Sequence, residues 1–253
     1  MSVYLSGSLC VAGAVLAAAV VAYLVRRFGQ DEGRPGNNDA AGQVFTIVSG
    51  LHAVVVAFVL ITLFDTVGSA RDGTYEEAES LVAVSWAVDS LPGTAGSEVR
   101  ALGKQYADIV VGQEWPQMRT GADVTGPGWA QLDLLRDAVL RAEADGDWQE
   151  GRKSEATTRL DQLYEQRQER LNTAFDSGVV AVVWFVLIAG SIICVLLPNL
   201  FGGTRMFTHI IVVSTLAGVL TLLLFAIYQL QNPFGGGSWI EPDAFRWALA
   251  RLG

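Results

Sequence analysis

Histidine and cysteine are scarce in this chain, which has only two of each among its 253 residues. A metal site needs several His, Cys or carboxylate ligands that converge, commonly with paired spacing along one helix. Two isolated histidines do not supply such a set, and Cys10 and Cys194 lie in apolar stretches, where a thiol packs as a small hydrophobe. The sequence therefore predicts no metal site, no cofactor and a structural role for both cysteines.

Runs of lysine or arginine are also absent. Residues 71–176 hold 11 Lys/Arg and 20 Asp/Glu, and the rest of the chain holds six of each sign, so the net charge of −9 lies in this middle segment. An acidic segment repels phosphate backbones, and counterion release from DNA needs clustered basic side chains. This charge distribution excludes nucleic acid as a partner.

Catalytic motifs are missing as well. The sequence has no Ser-His-Asp arrangement around a nucleophile elbow and no glycine-rich phosphate loop after a strand. The glycine run at residues 235–237 follows an apolar segment and indicates a turn. A catalytic centre needs a nucleophile with a base and a group that orients the base. We therefore predict that the chain is not an enzyme.

Four long apolar blocks dominate what is present, at residues 3–25, 44–64, 179–201 and 209–230. About 20 apolar residues suffice for a helix to cross a hydrocarbon core of about 30 Å. The first block is predicted to be a retained helix and not a signal peptide, because no basic residue precedes it and arginines follow it. The chain is thus predicted to be a multi-pass protein of the cell membrane, with the lipid bilayer as its surroundings.

The acidic segment between the second and third blocks has the periodicity of helices. Apolar residues recur at helical spacing, and Thr74 and Glu77 are spaced as a capping box that would start the first helix at residue 76. The last helix, at residues 154–175, is predicted to run straight into the third span. We predict an all-α membrane protein with four transmembrane helices and an inserted extramembrane helical domain between the second and third. Its predicted parts are residues 1–70 with two spans, the domain at 71–177, residues 178–230 with two spans, and a tail at 231–253.

Two features of the spans predict specific contacts. In the first span, Ala14, Ala18 and Ala22 form a small-residue edge that lets another helix approach closely. In the second span, His52 is an ionisable residue at membrane depth, which suggests a function. The favoured alternative is a neutral imidazole bonded to a neighbouring helix. The candidates for a pore lining or polar intramembrane site are Ser49, His52, Thr62 and Asp65, and those for an acidic mouth are Asp72, Glu76, Glu77 and Glu79.

Three short motifs occur in a fixed order relative to the spans. They are Glu77-Ala78, then LPGTAGSEVRALGKQYADIVVGQEWPQM with Arg100, Tyr106 and Glu114-Trp115-Pro116, and finally NPFGGGSWIEPDAF with Pro233 and Phe234. Together these motifs resemble the uncharacterised bestrophin-like integral membrane family of bacteria, from about residue 43 to residue 245. The Glu114-Trp115-Pro116 part of the second motif has two interpretations. In the first, Trp115 packs against another helix or the membrane interface and Pro116 fixes a turn. In the second, Glu114 contacts a cation or ligand.

The resemblance implies a likeness to bestrophins, which are pentameric ion channels with four spans per subunit. His52 departs from the aromatic residue expected at its position in the family, and no run of acidic residues like the calcium clasp of animal bestrophins is present. Calcium activation is therefore not implied.

Two functions remain open at the level of sequence. The first is a homo-oligomeric bestrophin-like ion channel that favours cations, because acidic residues crowd just beyond the second span. The alternative is a membrane-anchored interaction or sensing module whose acidic domain binds a partner protein.

Overall fold

The computed structural model describes residues 3–28, 35–176, 178–200, 206–238 and 240–253. These residues form helices and connecting turns, with no strand anywhere in the described part of the chain. They divide into two compact units. Unit 1 comprises Met1–Phe64 with Val179–Gln231, and unit 2 comprises Asp65–Gly178 with Asn232–Gly253. The all-α prediction is confirmed.

Unit 1 contains the apolar helices. They are α1 (Val3–Phe28), the first part of α2 (Pro35–Val88), α7 (Ala181–Leu196), which a 3-10 turn (Leu197–Leu200) extends, and α8 (Met206–Leu230). Four segments are long and apolar enough to cross a membrane, namely Val3–Val25, Gly42–Val88, Ala181–Asn199 and Met206–Leu230. The prediction of four membrane-spanning helices is confirmed.

Unit 2 packs its helices around one apolar core. Besides the second part of α2, it contains α3 (Ala95–Ile109), a π-helical turn (Val110–Glu114), α4 (Trp115–Thr120), α5 (Gly128–Arg141), α6 (Asp147–Asp176), a 3-10 turn (Gly236–Ser238) and α9 (Asp243–Leu252). Residues 232–253, which the sequence suggested as a tail, are part of this unit.

Three predicted helix boundaries are wrong. The helix expected to start at residue 154 begins at Asp147, seven residues earlier. Thr74 caps no helix, because α2 is unbroken from Pro35 to Val88. Its hydroxyl donates instead to the carbonyl of Arg71 at 2.7 Å, the bond back to the preceding turn that a threonine makes inside a helix. Nor does α6 run into the third span: it ends at Asp176, and Val180 has extended backbone (φ −61°, ψ 149°) before α7 begins.

The small-residue edge of α1 faces another helix, as its spacing predicted. Ala18 and Ala22 are buried against Val213 and Ala217 of α8, and Ala14 is half-buried. Because alanine has only a methyl group, the two backbones can approach closely at these positions.

Replacing Ala18 by leucine is expected to lower the free energy of unfolding by about 1–2 kcal/mol, because the added carbons overpack the contact with α8. Thermal unfolding of the protein in detergent measures this loss. The matched control is Ala12→Leu, an exposed position on the same helix, which should leave the midpoint unchanged. Equal midpoints for both variants would show that this contact does not stabilise the protein.

Candidate functional site

Three of the motif residues of unit 2 meet two arginines in one buried cluster of charged groups. It consists of Glu77 from α2, Tyr106 from α3, Glu114 from the π-helical turn, and Arg167 and Arg170 from α6. All five residues are buried, and Arg167 is among the largest fully buried side chains of the described chain. We call this set the charge cluster.

The two arginines bind the two glutamates in nearly ideal geometry. Arg167 donates from both terminal nitrogens to Glu114, at 2.8 Å to Oε2 and 2.7 Å to Oε1. Arg170 donates to Glu77 from Nε at 2.6 Å and from Nη2 at 3.1 Å, and its Nη2 also donates to Glu114 Oε2 at 2.9 Å. Two positive and two negative groups therefore cancel, as burial requires.

Tyr106 joins the two ion pairs. Its hydroxyl donates to Glu77 Oε1 and accepts a hydrogen bond from Arg167 Nη1 at 3.2 Å. Burial raises the pKa of Tyr106, and the charge of Glu77 raises it further. The phenol therefore stays protonated and acts as a donor throughout the physiological pH range.

Aromatic rings enclose the guanidinium groups. The Arg167 guanidinium carbon lies 4.6 Å from the ring centre of Trp129 and 5.5 Å from that of Tyr106. The corresponding carbon of Arg170 lies 5.6 Å from Phe245 and 6.0 Å from Trp115. Such cation–π contacts strengthen when water is excluded.

The electrostatics favour the charged form of the arginines and of Glu114. Burial alone would raise the pKa of Glu114, but the hydrogen bonds and positive charges of Arg167 and Arg170 outweigh it, so the pKa falls below its ordinary value. Burial alone would lower the pKa of Arg170, but the charge of Glu77 raises it instead.

The π-helical turn explains how Glu114 reaches the cluster. Pro116 has no N–H, so the α-helical bond to the carbonyl of Gly112 cannot form. The N–H of Trp115 donates to the carbonyl of Val110, five residues back, and the turn widens by one residue. Widened turns of this kind recur at functional sites. The helix is thus distorted just before the proline.

The C-terminal motif packs against the Glu114-Trp115-Pro116 motif. Trp115 Nε1 donates to the carbonyl of Ile240 at 2.9 Å, and its ring meets that of Phe234 edge-on at 5.3 Å. Asn232 Nδ2 donates to the carbonyl of Met118 at 3.1 Å. The packing interpretation of Trp115 agrees with these contacts. Pro233 is buried beside Phe234, and Trp239 lies outside the described residues.

Arginine 100 lies apart from the charge cluster. It pairs with Asp89 at the surface, where both side chains remain partly exposed.

In unit 1, His52 contacts a neighbouring helix. Its Nε2 lies 3.0 Å from Ser191 Oγ of α7. The imidazole ring is buried against Gly190, and a Cβ atom added to Gly190 would lie 2.4 Å from His52 Nδ1. Ser49 Oγ is buried without a hydrogen-bond partner, whereas Thr62 is exposed and its hydroxyl donates to the carbonyl of Phe58 at 3.0 Å. The helix-contact interpretation of His52 is the one that agrees with this geometry.

The predicted acidic group divides between surface and core. Asp65, Asp72, Glu76 and Glu79 are exposed, whereas Glu77 is fully buried beside Arg170. Glu77 therefore does not belong with an exposed acidic mouth, because consecutive helical residues point about 100° apart.

Sequence reasoning missed Arg167 and Arg170 as site residues. A signal was present: Leu160, Leu163, Arg167, Arg170 and Ala174 follow one another at spacings of three and four along α6, and all are buried. Arginines that occupy an apolar stripe indicate buried partners of opposite charge. Within the described residues, no group of three or more His, Cys, Asp or Glu side chains is arranged to hold a metal ion.

The lowered pKa of Glu114 predicts a loss of stability in acid. A carboxyl whose pKa is lower in the folded state than in the unfolded state stabilises the protein when the pH is above the unfolded-state pKa, here 4.5. This contribution disappears as the pH falls through the folded-state pKa. Thermal midpoints of the parent protein and of Glu114→Gln are measured from pH 7 to pH 3. The difference between the two midpoints should become smaller as the pH falls below the unfolded-state pKa of Glu114. A difference that stays constant with pH would contradict the assignment.

Comparison with family models identifies a domain that covers most of the chain. Residues 12–245 match the family model described as the bestrophin-like domain. No curated protein and no solved structure matches the chain. The matched range covers the charge cluster, both motifs around Trp115 and Phe234, and nearly all of the apolar helices.

Proposed function

Because the chain belongs to the bestrophin-like family, we propose that it is a homo-oligomeric ion channel in which α2 lines the conduction path and cations are favoured. Membership of this family and the four apolar helices together indicate a membrane protein. The conducting role, the oligomer and the ion preference are supported by one feature of α2.

That feature is an exposed polar stripe along α2 in unit 2. Asp65, Ser69, Asp72, Glu76 and Glu79 follow one another at spacings of four, three, four and three residues, and all five are exposed. We call them the α2 stripe. This alternation repeats every seven residues and is the pattern that faces the axis when parallel helices associate.

A polar stripe at such positions favours a water-filled path over a sealed bundle. Apolar residues normally occupy the axial positions of associated helices and exclude water. Four of the five stripe residues are carboxylates, and no salt bridge within the described chain involves any of them. Repeated by symmetry, they would form negative rings that enrich cations within a Debye length of about 8–10 Å.

The charge cluster supports this role by fixing how α2 is rotated. Glu77 binds Arg170 in the core, so the neighbouring Glu76 and the next-turn Glu79 point outward. Loss of this ion pair would release the orientation of the stripe. The cluster is thus a positioning device for α2, and none of its groups needs to contact an ion.

Reversal potentials in planar bilayers test the proposal. With a tenfold potassium chloride gradient, the potential should lie toward the potassium equilibrium value, about 59 mV from zero for a monovalent ion. The double variant Asp72→Asn with Glu76→Gln should shift it toward zero, because two negative rings are neutralised. The matched control is Asp161→Asn, an exposed carboxylate on α6 outside the stripe, which should have no effect.

Each alternative outcome has a defined meaning. A potential near the chloride equilibrium value, unchanged in the double variant, would overturn the cation preference and leave conduction standing. Silence of folded protein across voltage, pH and calcium concentration would overturn the channel proposal itself.

A further inference from the structure

Residues of α2, α6 and α9 in unit 2 line an open groove of about 610 Å³. This volume lies in the range of binding clefts, about 300–1,000 Å³. We call it the α2–α6 groove. Its charged and aromatic lining consists of Glu76, Glu79 and Trp86 from α2, Arg159 and Glu165 from α6, and Trp247 from α9.

The groove is negatively charged. Three glutamates line it against Arg159, and the Arg251 guanidinium lies over its two tryptophans. Arg159 donates to the amide oxygen of Gln162 at 3.1 Å instead of pairing with a glutamate. The three carboxylates are exposed and take part in no salt bridge among the described residues. The electrostatic complement of this lining is a segment with several positive charges.

Two large aromatic rings flank the carboxylates. Trp86 is 49% exposed and Trp247 is 36% exposed, and tryptophan is the residue most enriched at the energetic centres of protein interfaces. The guanidinium carbon of the chain's own Arg251 lies 6.0 Å from the Trp86 ring and 5.0 Å from the Trp247 ring. The ring pair therefore already accepts a guanidinium group and leaves much of its surface uncovered.

From this combination we propose that the α2–α6 groove docks an arginine-bearing segment of a partner protein. Arginines of the segment pair with Glu76, Glu79 and Glu165 while its aliphatic parts cover the two tryptophans. A second copy of this chain is a poor occupant of the groove: residues 65–178 and 232–253 carry 13 basic and 23 acidic residues and no two consecutive arginines, so unit 2 offers no arginine-rich segment to dock. The proposal does not depend on ion conduction, although the groove and the α2 stripe share Glu76 and Glu79.

Peptide binding to the purified full-length protein tests the proposal without any conductance measurement. The probes are fluorescein-labelled octa-arginine and octa-lysine, and Kd is measured by anisotropy at fixed salt. Octa-arginine should bind at least tenfold more tightly than octa-lysine, because only the planar guanidinium stacks on tryptophan and pairs bidentately with carboxylates. Glu165→Lys should weaken octa-arginine binding at least tenfold.

The matched control is Glu169→Lys, an equal charge reversal at an exposed position one turn away on α6, where no groove residue is changed. It should change Kd less than twofold. Equal weakening by both variants, or equal affinity for the two peptides, would mean non-specific attraction to an acidic surface and would overturn the proposal. A change of particle mass in light scattering with Glu165→Lys alone would assign the groove to self-association and would also overturn it.

Discussion

Replacing Glu114 by glutamine is expected to cost about 3–5 kcal/mol of the free energy of unfolding. The substitution keeps the size of the side chain but leaves two buried arginines with one carboxylate, Glu77. An uncompensated charge in a buried site is far more expensive than a lost surface pair. Thermal unfolding followed by tryptophan fluorescence should show a midpoint lowered by about 6–20 °C, or no folded protein at all.

The control for this prediction is Glu98→Gln. Glu98 also binds an arginine, with Arg141 Nη2 at 3.0 Å from its Oε1, but the side chains are 49% and 65% exposed. An exposed pair contributes at most about 1 kcal/mol. Similar midpoints for the two variants would show that burial does not increase the stability lost when a carboxylate of the charge cluster is neutralised.

Replacing Gly128 by alanine is expected to cost about 3 kcal/mol, because the new Cβ atom has no space. It would lie 2.1 Å from Glu114 Oε1, 2.4 Å from Arg167 Nη2 and 2.7 Å from the Arg167 guanidinium carbon. These groups are bonded to each other, so neither can move aside without breaking the bidentate ion pair. Thermal unfolding measures the loss.

Gly126→Ala is the control, two residues away along the chain. Its Cβ would meet Gln113 Oε1 and Glu114 Cγ at 3.9 Å, an ordinary contact distance. We expect a change within about 0.5 kcal/mol for this variant. If Gly128→Ala were equally harmless, the close approach of the α5 backbone to the ion pair would not exist in solution.

The charge cluster is better understood as a device for specificity than as a source of stability. Well-packed apolar residues can replace a buried ion pair without loss, because desolvation offsets most of the attraction. What an apolar set cannot supply is a fixed pairing of Arg167 with Glu114 and Arg170 with both glutamates. This pairing ties α6 to α2 and to the π-helical turn.

Boundaries were the weakest part of the prediction from sequence. Thr74 and Glu77 satisfy the spacing of a capping box, but that spacing also occurs inside a helix, and the tertiary contacts of Glu77 make the continuous helix the lower-energy state. The prediction for the end of α6 was wrong because the sequence carries almost no local sign of a break. The sequence of α6 remains compatible with helix up to Asp176, and the break at residues 178–180 carries only a single glycine as a local signal.

The sequence by itself determined the membrane helices, the all-α class, the acidic charge of residues 71–176 and the close approach at Ala18 and Ala22. Each of these follows from local properties, since hydrophobic length, charge and helical spacing act over at most a few turns. Only the tertiary structure decided the partners of Glu114, which come from α6 more than 50 positions along the chain. It alone separated the buried Glu77 from the exposed Glu76, because a carboxylate's role depends on which face of α2 the core covers.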